Sequence, residues 1–220
     1  MGVDDVEGFF SLSGHLDEGG VAAVVMEFSA LKHLITAVCQ GASDRRILLF
    51  GSSSLLASFP DADPVLIGVA VTIDADFFIE PDDKSTRDAL YAELGEDNEY
   101  HIANGYYGDF VDLRMAEGFP QGWRERLVPM PGFDRVFALH PMDMAVSKVI
   151  ATASSRLEKR FGRRAADRGM KDINTLVALI RAGYLDCGEL VREVNRLELE
   201  SAMIAECGRV LETVLGMGRG

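Results

Sequence analysis

Cysteine and histidine are both scarce in this 220-residue chain, and neither is grouped. The cysteines form no Cys-x-x-Cys motif; they are Cys39, Cys187 and Cys207. An odd number of widely spaced cysteines argues against a disulfide framework and against a structural zinc site. The histidines also lack a partner at the spacing of zinc ligands; they are His15, His33, His101 and His140. We therefore expect surface or core roles for them.

Positive charge is in short supply as well. The chain has 22 Lys and Arg against 35 Asp and Glu, which gives a net charge of −13. General DNA binding is not expected, because it depends on neutralising phosphates with Lys and Arg. Basic residues do cluster in residues 156–171, "RLEKRFGRRAADRGMK". This segment is either a solvated helix face, which we favour, or a local anion site for a phosphate group or a polyanionic partner.

Long apolar runs are missing too. No run approaches the roughly 20 residues that a helix needs to cross a bilayer. The first ten residues, "MGVDDVEGFF", are acidic and lack the basic-then-apolar order of a signal peptide. The sequence therefore predicts a soluble cytoplasmic protein with no membrane association.

The spacing of the apolar residues along the chain changes near residue 140. Before that point, short apolar runs alternate with helical patterns, and after it the pattern is helical throughout. The predicted fold class is α/β (α+β), a mixed sheet flanked by helices in residues 1–140, followed by a helical domain in residues 141–220. The predicted strands of the first part are residues 46–51 and 71–80. Its predicted helices are residues 21–40, 52–59 and 84–94.

Two segments of this pattern carry more specific expectations. The alternating stretches on either side of "NGYYG", residues 104–108, predict a β-hairpin. The final stretch, residues 186–216, is either one helix or two, and its apolar positions could pack on its own domain or on another subunit. Pro141 is expected to open the first helix of the C-terminal part.

Asp74 and Asp76 are the most unusual residues of the predicted second strand. Side chains two residues apart on a strand lie on the same face, so the two carboxylates are expected to repel each other. The bland interpretation is a pair of solvated acids at a sheet edge. The alternative is that Mg²⁺ or Mn²⁺ lies between them and a polyphosphate. Asp112 is the preferred third carboxylate, since apolar residues flank it in a later strand, whereas Asp109 is expected near a turn.

A strand that ends in glycine and serine supplies a candidate phosphate cradle. Gly51, Ser52 and Ser53 lie between the first predicted strand and the following helix. Glycine allows close backbone approach, and a helix N-terminus offers free N–H groups to an anion. No Gly-Lys-Ser/Thr follows, so this is not a Walker loop.

Taken together, these segments resemble the nucleotidyltransferase superfamily, whose catalytic domain is similar to the palm of DNA polymerase beta. The family pattern is a strand, Gly-Ser, a helix, a strand with Asp-x-Asp, and a third carboxylate on a later strand. The run "TIDAD", Thr72–Asp76, resembles a signature of bacterial members, some of them similar to abortive-infection toxins. The segments "HPMDMAVSKVIA" and "KDINTL" also resemble parts of those proteins, so the resemblance spans roughly residues 46–180.

The resemblance implies a set of roles. Asp74 and Asp76 would hold the metal against the phosphates of an NTP, and Asp112 would bind a second metal and help to activate an acceptor hydroxyl. Lys148 and Lys171 would contact phosphate, although each has an ordinary structural explanation as well. The acceptor could be a protein, an RNA or a small molecule.

A second hypothesis is a catalytically silent member of the same fold. Such a protein would bind a nucleotide or a partner, for example within a toxin–antitoxin pair. The missing basic residue before Thr72 and the long loop at residues 60–69 favour it, whereas the three carboxylates favour the enzyme. Trp123 could stack on a base, but a lone tryptophan is more often a packing anchor.

Overall fold

The computed structural model shows a mixed α/β fold in which helices flank a five-stranded sheet and a helical region follows it. It describes residues 26–69, 72–112, 116, 119–158 and 162–218, without the side chains of 162–168. In that part of the chain no helix is both long enough and apolar enough to cross a membrane.

The sheet has the strand order β3-β2-β1-β5-β4 and combines parallel with antiparallel pairs. Its strands are β1 (Arg46–Phe50), β2 (Asp74–Glu80), β3 (Tyr107–Phe110), β4 (Val128–Pro129) and β5 (Val136–Ala138). β1 is antiparallel to β2 and parallel to β5, while β2 is parallel to β3. β1 is therefore the central strand, with two strands on each side of it.

The sequence of β1 explains this central position. Ile47, Leu48 and Leu49 are consecutive and all fully buried, so both faces of the strand are covered. An uninterrupted apolar run of this kind is typical of a strand with helices on both faces of the sheet. In β2, Phe77 and Phe78 are buried in the same way, and each contributes about 2 kcal/mol to stability by leaving water.

The helices before residue 140 largely follow the predicted pattern. They are α1 (Phe28–Gly41), α2 (Ser53–Ser58), α3 (Lys84–Leu94) and α4 (Glu99–Asn104). The bounds of α3 are those predicted, because Asp83 accepts a hydrogen bond from the Ser85 N–H at its start and Gly95 follows its end. Residues 21–25 of the predicted first helix lie outside the described residues.

The predicted hairpin around residues 104–108 is wrong. Residues 99–104 form α4, and β3 then runs parallel to β2 rather than antiparallel to a neighbour in a hairpin. Asn98 caps α4 by accepting a hydrogen bond from the His101 N–H, and Gly105 ends it in the left-handed conformation with φ 77°. The Asn-Gly pair thus lies between the end of a helix and the start of a strand. The same dipeptide is common both at helix ends and in tight turns.

The C-terminal part contains α5 (Pro141–Leu157), α6 (Gly162–Arg181), α7 (Cys187–Asn195) and α8 (Ser201–Gly218). The final stretch is therefore two helices. α5 begins at Pro141 as predicted, and it packs against α6 and α8 as well as against α2. Through α2, which lies on β1, β2 and β5, α5 reaches the sheet edge that carries the aspartates.

Candidate active site on the sheet

Asp74 and Asp76 lie on one face of β2, as the strand period requires. Both are partly exposed, whereas Ala75 and Phe77 between and after them are fully buried on the opposite face. The alternation explains why acids occur in this strand at all, since only one of its two faces at this end is open.

Asp109 supplies the third carboxylate next to this pair. The parallel register of β2 and β3 pairs Asp76 with Asp109 and Asp74 with Tyr107. Residues directly opposite each other on neighbouring strands point to the same side of the sheet. Asp109 therefore stands beside Asp76 on the open face.

Asp112, the residue preferred from the sequence, has a different environment. It follows the end of β3 by two residues, and its Oδ2 atom lies 3.6 Å from a terminal nitrogen of Arg87. The sequence favours Asp112 because apolar residues flank it and because a turn at "NGYYG" would place Asp109 near a hairpin end. A strand that begins at Tyr107 instead brings Asp109 into register with Asp76.

The arrangement of these groups has an electrostatic consequence for Asp76. The pKa of Asp76 is raised to about 6, first by burial and then by the charges of Asp74 and Asp109. The charges of Lys148 and Lys171 act in the opposite direction and lower the pKa of Asp76. Asp76 thus lies among charges of both signs, from two further acids on the sheet and from two lysines on neighbouring helices.

Gly51 touches the Asp76 carboxylate so closely that no other residue fits. It follows β1 with φ 61°, a conformation in which side chains other than hydrogen are strained. A Cβ atom added at Gly51 would lie only 2.1 Å from Asp76 Oδ2. The predicted glycine is therefore required both by its backbone conformation and by the position of the neighbouring carboxylate.

The hydroxyl groups of Ser53 and Ser54 form hydrogen bonds with backbone carbonyls of the turn between β1 and α2. Ser53 Oγ donates to the Phe50 carbonyl at 3.0 Å, and Ser54 Oγ donates to the Gly51 carbonyl at 2.7 Å. Ser53 is 1% exposed, so its hydroxyl is committed to the backbone; Ser52 is 9% exposed. The hydroxyl of Ser53 therefore stabilises the turn, and Ser52 is the serine nearer the surface.

Lys148 on α5 and Lys171 on α6 are close enough to Asp76 for their positive charges to lower its pKa. Lys148 is only 8% exposed, and its Nζ donates to Asp172 Oδ1 at 2.5 Å. A buried ammonium needs such a partner because an unpaired one would be costly. Asp172 thereby fixes Lys148 between the two helices. No local sequence pattern indicates that Asp172, 24 positions away, is the partner of Lys148.

A cavity of about 390 Å³ opens beside Asp76 and Gly51, between the sheet edge and α5. Apart from those two residues its lining is mainly apolar; the remaining lining residues are Phe50, Val111, Phe119, Ser147, Ile150, Ala151 and Ser154. Trp123 does not line it. Instead this residue is buried and packs edge-to-face on Phe50 and Phe119, so it is a packing anchor for the cavity wall.

The donor set suits Mg²⁺, which prefers carboxylate oxygens and usually takes only one or two of them together with substrate phosphates. In the described ranges, no group of three or more His, Cys, Asp or Glu side chains is gathered closely enough to hold a metal ion as it stands. The fit rests instead on the Asp74 and Asp76 pair, on the contact between Asp76 and Gly51, and on the charge of Asp109.

Comparison with known proteins gives no support for a family assignment. No family model matches the chain, and neither a curated protein nor a solved structure matches it. The resemblance to nucleotidyltransferases therefore rests on the residues themselves and on their arrangement where β1 ends and where β2 and β3 begin.

Proposed function

We propose that this protein is a metal-dependent nucleotidyltransferase that moves a nucleotidyl group from an NTP to an acceptor hydroxyl. The observation that carries the proposal is the set of three carboxylates on one sheet face, with Asp76 packed on Gly51 and paired in register with Asp109. Lys148 and Lys171, on two helices, add positive charge to the same place. A cytoplasmic location, where NTP and Mg²⁺ are abundant, is part of the proposal.

Asp74 and Asp76 are the proposed ligands of Mg²⁺ or Mn²⁺. When bound, the metal would neutralise charge on the phosphates and on the carboxylates that otherwise repel each other. Lys148 and Lys171 bind phosphate oxygens as point charges, and Asp172 holds Lys148 in position for that contact. Gly51 leaves room for the Asp76 carboxylate, and its backbone borders the cavity.

Asp109 takes the place that the sequence assigned to Asp112. In the proposed reaction the acceptor oxygen forms a bond to the α-phosphorus, and the bond from that phosphorus to the leaving pyrophosphate breaks. The pyrophosphate leaves with the bonding electrons, and Asp109 accepts the proton of the acceptor hydroxyl. Catalysis of this kind depends on positioning and charge neutralisation more than on covalent help from the protein.

The test is thermal stability in the presence of Mg²⁺ and each NTP, together with transfer of label from an NTP labelled at the α-phosphate. A ligand that binds only the folded state must raise the melting temperature. We expect wild type to be stabilised by Mg²⁺ with at least one NTP, and Asp74→Asn to lose both this stabilisation and label transfer. Asp134→Asn is the matched control, because Asp134 is an exposed aspartate far along the chain from β2.

The outcomes separate the two hypotheses. Stabilisation by Mg²⁺ and NTP without any transfer would favour the catalytically silent nucleotide-binding module. No stabilisation by any NTP, or an Asp74→Asn variant as active as Asp134→Asn, would contradict the enzyme proposal.

A further inference from the structure

A second cavity adjoins the one beside Asp76. It has a volume of about 240 Å³ and is shaped by Gln121 and by the loop between α7 and α8. Phe119 and Ile150 line both cavities, so the two lie on either side of this pair of side chains. Together they make a groove that leads from the carboxylates to the α7–α8 loop.

Apart from Asp76 and Gly51, the residues that line the inner part of the groove are mainly apolar. They provide few groups that could bind a charged ligand. Its two hydroxyls are used within α5, since Ser147 Oγ donates to the Met144 carbonyl at 2.7 Å and Ser154 Oγ donates to Glu158 Oε1 at 3.2 Å. The aromatic wall is held in place, because Phe119 packs edge-to-face on Phe50 and on Trp123. The inner part therefore suits an apolar or aromatic group.

The outer part is polar and carries both signs of charge. Among the described residues that line the two cavities, Arg196 is the one cation, and it is already in an ion pair with Glu193. Glu198 lies two residues further along the same loop, and Gln121 adds an amide. A polynucleotide would need several lysines or arginines here to neutralise its phosphates, and the chain as a whole is acidic.

We infer that the acceptor is an amphipathic alcohol rather than a polynucleotide, an inference that rests on the proposed nucleotidyl transfer. Its apolar body lies against Phe119 and Ile150, with its hydroxyl directed to the end of the groove at Asp76, the register partner of Asp109. Its polar end, with a cationic amine, lies at Glu198 and Gln121. A free hydroxyl amino acid derivative and the same residue at the N-terminus of a peptide both have this chemistry.

The probes are serinamide, threoninamide and tyrosinamide, their N-acetylated forms, short peptides that begin with the same residues, and bulk RNA. Each is incubated with the full chain, Mg²⁺ and α-labelled NTP. Faster labelling of the amides than of the peptides identifies a free molecule as the source, and the reverse order identifies a peptide. We expect the preferred probe to be labelled with a kcat/KM well above that of RNA.

Two variants test the groove itself. Ala151→Trp narrows the inner cavity from an exposed position of α5 and should lower kcat/KM for the preferred probe by about tenfold, without changing the Mg²⁺–NTP stabilisation. Glu198→Arg should raise the KM of amine-bearing probes more than that of their N-acetylated forms. Ala205→Trp, at an exposed position of α8, is the matched control and should behave as wild type.

Three outcomes would overturn the inference. RNA labelled in preference to every alcohol, and more strongly by Glu198→Arg, would identify a polynucleotide acceptor. Loss of the Mg²⁺–NTP stabilisation in Ala151→Trp alone would place the nucleotide, not the acceptor, in the cavity. Absence of that stabilisation in wild type would remove the proposed function and the acceptor with it, whereas the first two outcomes leave nucleotidyl transfer standing.

Discussion

At the scale of single residues, Asp76 shows how a buried carboxylate can lower stability. Its pKa in the folded chain is about 6 against an ordinary value of 3.8, because burial and two neighbouring acids disfavour the charged form. A raised carboxyl pKa means that the folded state binds the proton more tightly than the unfolded state does. The contribution of Asp76 to stability is therefore present below pH 3.8 and is lost as the pH rises through about 6.

This sign gives a prediction for Asp76→Asn in the absence of metal. With EDTA at pH 7.5, the variant should have a larger free energy of unfolding than wild type, by at most about 3 kcal/mol, since two pKa units are worth about that much. The advantage should shrink as the pH falls towards 4. Urea unfolding at several pH values measures it, with Asp134→Asn as control, and an Asp76→Asn variant less stable than wild type at pH 7.5 would contradict the prediction.

Gly51 offers a second prediction at this scale, and the chain contains its control. Gly51→Ala and Gly132→Ala both place alanine at positive φ, which costs about 1–2 kcal/mol. Only at Gly51 does the new methyl group also meet Asp76, because nothing lies within 4 Å of a Cβ at Gly132. Gly51→Ala should therefore be the less stable variant in urea and should alone lose the stabilisation by Mg²⁺ and NTP. Equal behaviour of the two would show that the contact with Asp76 has no consequence.

At the scale of secondary-structure elements, the contact between α5 and α6 includes the ion pair of Lys148 and Asp172. Removing Lys148 alone leaves a largely buried carboxylate without its partner, so Lys148→Met should destabilise the protein by about 2–3 kcal/mol. The double variant Lys148→Met with Asp172→Leu should recover most of that stability but not the response to Mg²⁺ and NTP. Thermal and urea unfolding of the three proteins separates packing from phosphate binding.

The control for this prediction is the exposed pair formed by Lys84 and Asp88 on α3. Lys84→Met should cost under about 1 kcal/mol, because exposed ion pairs contribute little. If the double variant at 148 and 172 regained the full Mg²⁺–NTP response, Lys148 would have no role in binding phosphate.

The elements also show where sequence reasoning succeeds and where it stops. α3 could be predicted to the residue because its start and end signals, Asp83 and Gly95, are local. α4 could not, since five alternating residues fit a short helix as well as a strand, and Asn104-Gly105 serves either. The hairpin prediction also affected the choice between Asp109 and Asp112, because only the parallel register of β3 with β2 reveals Asp109 as the neighbour of Asp76.

At the scale of the whole molecule, the fold class and the paired aspartates were predictable, but the assembly of the site was not. Asp74, Asp76 and Gly51 follow local rules of strand period and turn chemistry. The burial of Lys148, its partner Asp172 and the groove beside α5 depend on contacts between distant parts of the chain, and no local pattern encodes them. The boundary near residue 140 stays a prediction.

The same distant contacts include an anchor at the start of α5. Asp143 is 2% exposed, and both of its oxygens accept hydrogen bonds from Arg126, at 2.9 and 2.6 Å. Arg126 ends the short 3₁₀ helix Trp123–Arg126, which carries the tryptophan behind Phe119. The aromatic wall and the helix bearing Lys148 are thus tied together. A substitution that moved Trp123 or Phe119 would therefore also shift the start of the helix that carries Lys148, so changes on one side of the cavity would be felt on the other.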